Sequence, residues 1–147
     1  MSLETWVENG WLQRHEASAE EIGDLCMAAR RDLADARKDL SPAWRFAIAY
    51  NAALRLSTAA LYSAGYRATR DQRHYRTIAT LPLLLGSHVR ELAGFLDACR
   101  TKRHDVTYES LTAVSREEVR ELISAVEELD RLVGTWLRKT RPDAMLG

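Results

Sequence analysis

The chain has 147 residues, 46% of them hydrophobic and 29% charged, with 21 Lys+Arg balanced by 21 Asp+Glu. That length and apolar share suit one folded domain, 1–147, with a core of its own, and argue against disorder. The zero net charge argues against nucleic-acid binding by bulk positive charge but leaves room for a local basic patch. The longest apolar run, 78–86, is too short to cross a bilayer. The start, MSLETWVENG, has no basic segment followed by an apolar stretch, which argues against a secretory signal. A cytoplasmic domain with no membrane contact is the expectation.

In chain order, Trp6, Val7, Trp11 and Leu12 suggest a short N-terminal helix interrupted by Gly10, its tryptophans packing on the rest. Ser18 with Glu21 opens a helix through Ile22, Leu25, Ala29, Leu33 and Ala36. Ser41-Pro42 places a cap and then proline at the first helical position. The helix that follows carries Phe46, Tyr50, Ala53, Ala60 and Leu61, and Gly65 closes it. Its many alanines let neighbouring helices approach closely, so it belongs at the centre of a bundle. Asp71 is the expected cap of a fourth helix through Ile78 and Leu81, with Pro82 kinking or restarting it. Gly86-Ser87 breaks the chain again. A fifth helix runs from about His88 through Leu92, Phe95, Leu96 and Cys99, followed by a polar connection.

The last helix has the clearest pattern. Leu122, Val126, Leu129, Val133 and Trp136 step by three and four. Ser115 and Glu118 form a capping box, acids come early, bases come late, and Pro142 marks the end. No alternating strand pattern exceeds four residues, and Asp105–Tyr108 is the one weak strand candidate. The fold class expected is all-α, an up-and-down bundle of about five helices.

Templates for nucleotide loops, zinc sites, nucleophile elbows and calcium loops are absent. Cys26 and Cys99 stand alone and read as core thiols rather than a disulfide. His15, His74 and His88 are scattered and read as surface or helix-end residues, not metal ligands. Two basic clusters remain. The first holds Arg67, Arg70, Arg73, His74 and Arg76, with Arg73 and Arg76 on one helical face as candidate phosphate contacts. The second is Arg100-Thr101-Lys102-Arg103-His104-Asp105-Val106-Thr107-Tyr108. A guanidinium there can hold a phosphate in a fork, and a His or Tyr can pass protons. Arg103 and Tyr108 are five apart, so their convergence needs a bend or a partner subunit.

This second segment, with the Ala-rich stretch Ala47–Gly65, resembles the HEPN domain (higher eukaryotes and prokaryotes nucleotide-binding) over about Glu20 to Lys139. The resemblance implies an all-α, commonly dimeric protein. Many members are metal-independent RNases, often toxins, with an Arg-polar-x(3–5)-His motif lining a cleft between two subunits. In them the RNA 2′-OH attacks the adjacent phosphate and leaves a 2′,3′-cyclic end. Other members bind RNA, nucleotides or a partner nucleotidyltransferase without cleaving.

Carried onto this chain, Arg103 would hold the phosphate, His104 would move a proton, and Tyr108, standing where the family has His, would orient the substrate. Arg100 and Lys102 would contact the backbone of the RNA. A second register pairs Arg100 with His104 across three residues. No cofactor or metal is implied. The expectation is an RNA- or nucleotide-binding protein, with RNase activity of toxin–antitoxin type as its catalytic form. The alternatives are a module that dimerises and pairs with a nucleotidyltransferase, and a structural domain whose basic run is a solvated helix end, Arg100 pairing with Asp97 or Asp105.

Overall fold

A computed structural model describes the backbone of 2–108 and 114–145 and the side chains of 2–104 and 114–144. Helix accounts for 78% of the structure, as the hydrophobic periodicity predicts. In order, the elements are α1 (Leu3–Glu8), β1 (Leu12–Arg14), α2 (Ala19–Ala36), α3 (Pro42–Ser63), β2 (Tyr66–Ala68), α4 (Arg73–Ala79), α5 (Leu81–Leu85), α6 (Arg90–Tyr108) and α7 (Arg116–Thr140). One-turn 3₁₀ helices precede α6 (Ser87–Val89) and follow α7 (Pro142–Met145).

The helix starts follow side-chain chemistry. Ser18 Oγ accepts from the Glu21 amide, and Ser41 Oγ accepts from the Trp44 amide with Pro42 opening the helix. At α7 the box is reciprocal. The Glu118 amide donates to Ser115 Oγ (3.1 Å), and the Ser115 amide donates to the Glu118 carboxylate (2.9 Å). These contacts satisfy amides that the first helical turn leaves open. The Glu21 carboxylate instead meets His15 Nε2 at 2.7 Å.

Helix α3 is the centre, in contact with α2, α4, α5, α6 and α7. Ala49, Ala52, Ala53, Ala59 and Ala60 are buried without remaining exposure. With no side chain beyond Cβ, they set the close approach of α2 and α7. The α7 stripe of Leu122, Val126, Leu129, Val133 and Leu137 closes the core. Trp136 is half-buried and donates from Nε1 to Ser63 Oγ of α3 (2.8 Å). Cys26 and Cys99 are buried free thiols.

The structure departs from the sequence pattern in three places. First, α1 stops at Glu8, and Leu12–Arg14 enters an antiparallel pair with Tyr66–Ala68, Leu12 opposite Ala68. Three-residue strands are too short to show alternation. The pair fastens the N-terminus to the turn after α3, where Gly65 takes φ +93, a conformation open mainly to glycine.

Second, the cap of α4 is Gln72 in a left-handed conformation with no side-chain bond, not Asp71. The fourth helix is restarted beside Pro82, as expected: Thr80, fully buried, ends α4, and α5 opens at Leu81, followed by the proline that has no amide to continue the ladder. Third, α6 does not end at Cys99. It runs on to Tyr108, so Asp105–Tyr108 is helix, not strand. Among the described residues no helix is long and apolar enough to cross a membrane.

Candidate functional site

Continuing α6 through the basic segment decides which of its residues can meet. A helix turns about 100° per residue. Arg100, Arg103 and His104, at i, i+3 and i+4, therefore share one face. Lys102 lies about 200° round from Arg100. That face of α6 looks onto α3 and onto the start of α4. There the first basic cluster arrives, carried by the turn after β2 and the first residues of α4.

The result is a cleft of about 460 Å³ lined by both clusters. Arg100, Arg103 and His104 come from α6, Arg70, Gln72, Arg73, His74 and Tyr75 from the α4 end, and Tyr50 from α3. Among these described residues there is no carboxylate. Two guanidiniums are propped on aromatic faces: Arg103 over the Tyr50 ring and Arg100 over the Tyr75 ring, each 5.5 Å from the centroid. Arg100 Nε also donates to Asp97 at 2.8 Å, one of the two partners expected in the reading of a solvated helix end.

No protein-family model, curated protein or solved structure matches the chain. The chemistry of the cleft therefore rests on its own residues.

Tyr50 is 1% exposed, and its hydroxyl is buried with no hydrogen-bond partner among the described residues. Burial pushes this phenol up to about 12, although Arg100 and Arg103 pull the other way. It stays protonated and so presents an O–H donor to the cleft. An orphaned buried hydroxyl costs stability, and a bound anion would satisfy it.

His74 is exposed, yet its imidazole is held below the ordinary range. Partial desolvation is the first cause, followed by the positive charges of Arg103, Arg100 and Arg73. The neutral ring is a proton acceptor surrounded by guanidiniums. Nothing in the sequence ranked His74 above His15 or His88. The one usable signal was its place inside the first basic cluster.

The remaining sequence candidates go elsewhere. Lys102 turns to α7 and meets Glu118 at 3.3 Å, the opposite side of α6 from the cleft. Arg76 stacks over the Trp11 ring, 4.2 Å from its centroid, and ties α4 to the N-terminal segment. Arg73 and Arg76 do not act as a pair.

Tyr108 is the last residue of α6, its backbone position about 140° round from Arg103; its side chain, like that of Asp105, lies outside the described residues. On the far side of α6 a wider groove of about 750 Å³ against α7 has an apolar floor including Leu92 and Phe95 and a rim holding Glu91, Glu117, Glu121 and Glu128 against the single guanidinium of Arg120 and the imidazole of His88. Acids gather there and bases in the cleft, which is how a net charge of zero conceals a basic site. Among the described residues no group of His, Cys, Asp and Glu is placed to hold a metal ion.

Proposed function

We propose that this chain is an RNA- or nucleotide-binding protein of HEPN type and that the α3–α4–α6 cleft is its phosphate site. The observation that carries the reading is the meeting of two basic clusters, about thirty residues apart in sequence, in one cleft whose described lining residues include no carboxylate. Guanidiniums there offer paired donors to phosphate oxygens, and Tyr50 and Tyr75 hold two of them in place. Exposed Tyr75, 39% accessible, adds a ring on which a base can stack.

The experiment is binding of a labelled single-stranded RNA to wild type and to Arg73→Ala and Arg103→Ala, one variant from each cluster. Both variants weaken binding if the cleft is the site. Loss in neither removes the reading. The homodimer belongs to the same proposal, and sedimentation of the purified chain tests it; pairing with a nucleotidyltransferase belongs to the alternative reading of an interaction module.

A second reading, a metal-independent endoribonuclease of toxin–antitoxin type, is favoured by the two imidazoles, His74 and His104, that line the cleft beside the guanidiniums. Its test is cleavage of end-labelled RNA in EDTA. Wild type alone, and not Arg103→Ala, should yield 2′,3′-cyclic phosphate ends.

A further inference from the structure

We propose that His74, delivered by α4 from outside the Arg100–Tyr108 segment, is the catalytic base of an RNA transesterification in this cleft. The inference rests on the RNA reading above and assigns the proton-transfer group within it.

The geometry of α6 is the starting point. Its arginines face the cleft, while position 108 lies about 140° round the helix from Arg103. The helix that carries the phosphate contacts therefore does not bring its own last residue onto the same face. An imidazole arrives instead from α4, with Arg73 beside it in sequence, Arg100 and Arg103 across from it on α6, and Tyr50 on α3. His74 is exposed, so a ribose can reach it. Among the described residues the charged and titratable groups around it are Arg67, Arg70, Arg73 and Tyr75 from its own side, Arg100, Arg103 and His104 from α6, and Tyr50 and Tyr62 from α3; Asp97 stands behind Arg100. Desolvation and the arginines keep the ring neutral near pH 7, the form that can take a proton.

With a ribose and its 3′-phosphate in the cleft, the His74 imidazole removes the proton of the 2′-OH. O2′ forms a bond to phosphorus. The P–O5′ bond breaks with its electron pair on O5′, which takes a proton from solvent. The products are a 2′,3′-cyclic phosphate and a 5′-OH, and His74 returns its proton to solvent. Negative charge grows on the phosphoryl oxygens as O2′ attacks. Arg100 and Arg103, held against Tyr75 and Tyr50, oppose that charge, and the buried Tyr50 hydroxyl donates to it.

The test compares wild type with His74→Gln, an exchange at an exposed position, on end-labelled RNA in EDTA. A second substrate carries 2′-deoxyribose at the cleaved position. Wild type is expected to cleave the first RNA and not the second. His74→Gln is expected to bind RNA as wild type does and to lose ~10²- to 10⁴-fold in kcat. In wild type kcat/KM should rise with pH through a midpoint below the imidazole value of about 6.5, and His74→Gln should lack that limb. Equal cleavage by His74→Gln overturns the assignment. RNA binding by wild type without cleavage also overturns it and leaves the RNA reading standing. Absence of both removes that reading as well.

Discussion

Salt dependence of RNA binding tests the cleft arginine by arginine. Four arginines line it, and Arg100 donates to Asp97 at 2.8 Å. With phosphate contacts assigned to Arg70, Arg73 and Arg103, the affinity for single-stranded RNA falls with log salt at a slope of about −2.1. Between 50 and 200 mM KCl that is a loss of roughly 20-fold. Arg103→Ala removes one contact, so the slope drops to about −1.4 and the loss to roughly 7-fold. Asp97→Asn works in the opposite direction. It releases Arg100 to the ligand, and the slope steepens toward about −2.8 with tighter binding at low salt. Lys102→Ala leaves the slope unchanged, because Lys102 faces Glu118 on the other side of α6. Fluorescence anisotropy of a labelled oligonucleotide across a KCl series reads all four proteins. A slope in Arg103→Ala equal to that of wild type, or weaker binding by Asp97→Asn, would refute the reasoning.

Tyr50→Phe removes a hydroxyl that has no partner among the described residues, so urea denaturation should find stability unchanged or raised by up to about 1 kcal/mol; RNA affinity should fall ~5-fold if the hydroxyl meets a phosphate, the equivalent of about 1 kcal/mol. His74 has a folded-state pKa below its unfolded value near 6.5. Its contribution to stability is therefore complete above pH 6.5 and is lost as the pH falls from there to the folded value, because the unfolded chain takes the proton first. An NMR titration should place the His74 midpoint below 6.5, and added sulfate, a dianion throughout, should move it upward; no movement means that the anion does not sit beside the ring. Ser115→Ala breaks half of the α7 capping box and should cost about 1 kcal/mol in urea unfolding; a cost near zero would show that the box adds nothing to tertiary packing.

Much of the architecture is legible in single residues. Ser18, Ser41 and Ser115 are polar side chains set before apolar periods, and each caps the helix it announces. Local hydrogen bonding decides such starts, so neighbouring sequence is enough. The alanines of α3 imply close packing on several sides, and α3 lies at the centre for that reason. The stripe of α7 has a period that only a helix can bury on one side.

Where sequence failed, the missing information was non-local. The β1–β2 pair joins segments more than fifty residues apart, and three residues carry no readable alternation. Gln72 caps α4 because the turn after β2 forces a left-handed residue there, a constraint of chain path rather than of side-chain preference.

The site divides in the same way. The residue types it needs were visible as two basic runs. Which members face a common cleft depends on helix rotation and on what packs opposite. Continuous helix through α6 sends Arg100, Arg103 and His104 to one side and Lys102 to Glu118 on the other. Trp11, fixed by the N-terminal strand, takes Arg76 out of the cluster to which its sequence position assigned it. Tyr50 and His74 enter the site for a reason no local pattern encodes: α3 and α4 pack against the basic face of α6. The sequence by itself determined that the chain is helical, where most of its helices begin, and that basic residues are available. The tertiary structure alone decided which of them share a cleft, since a helical period specifies a buried face but not the neighbour that covers it.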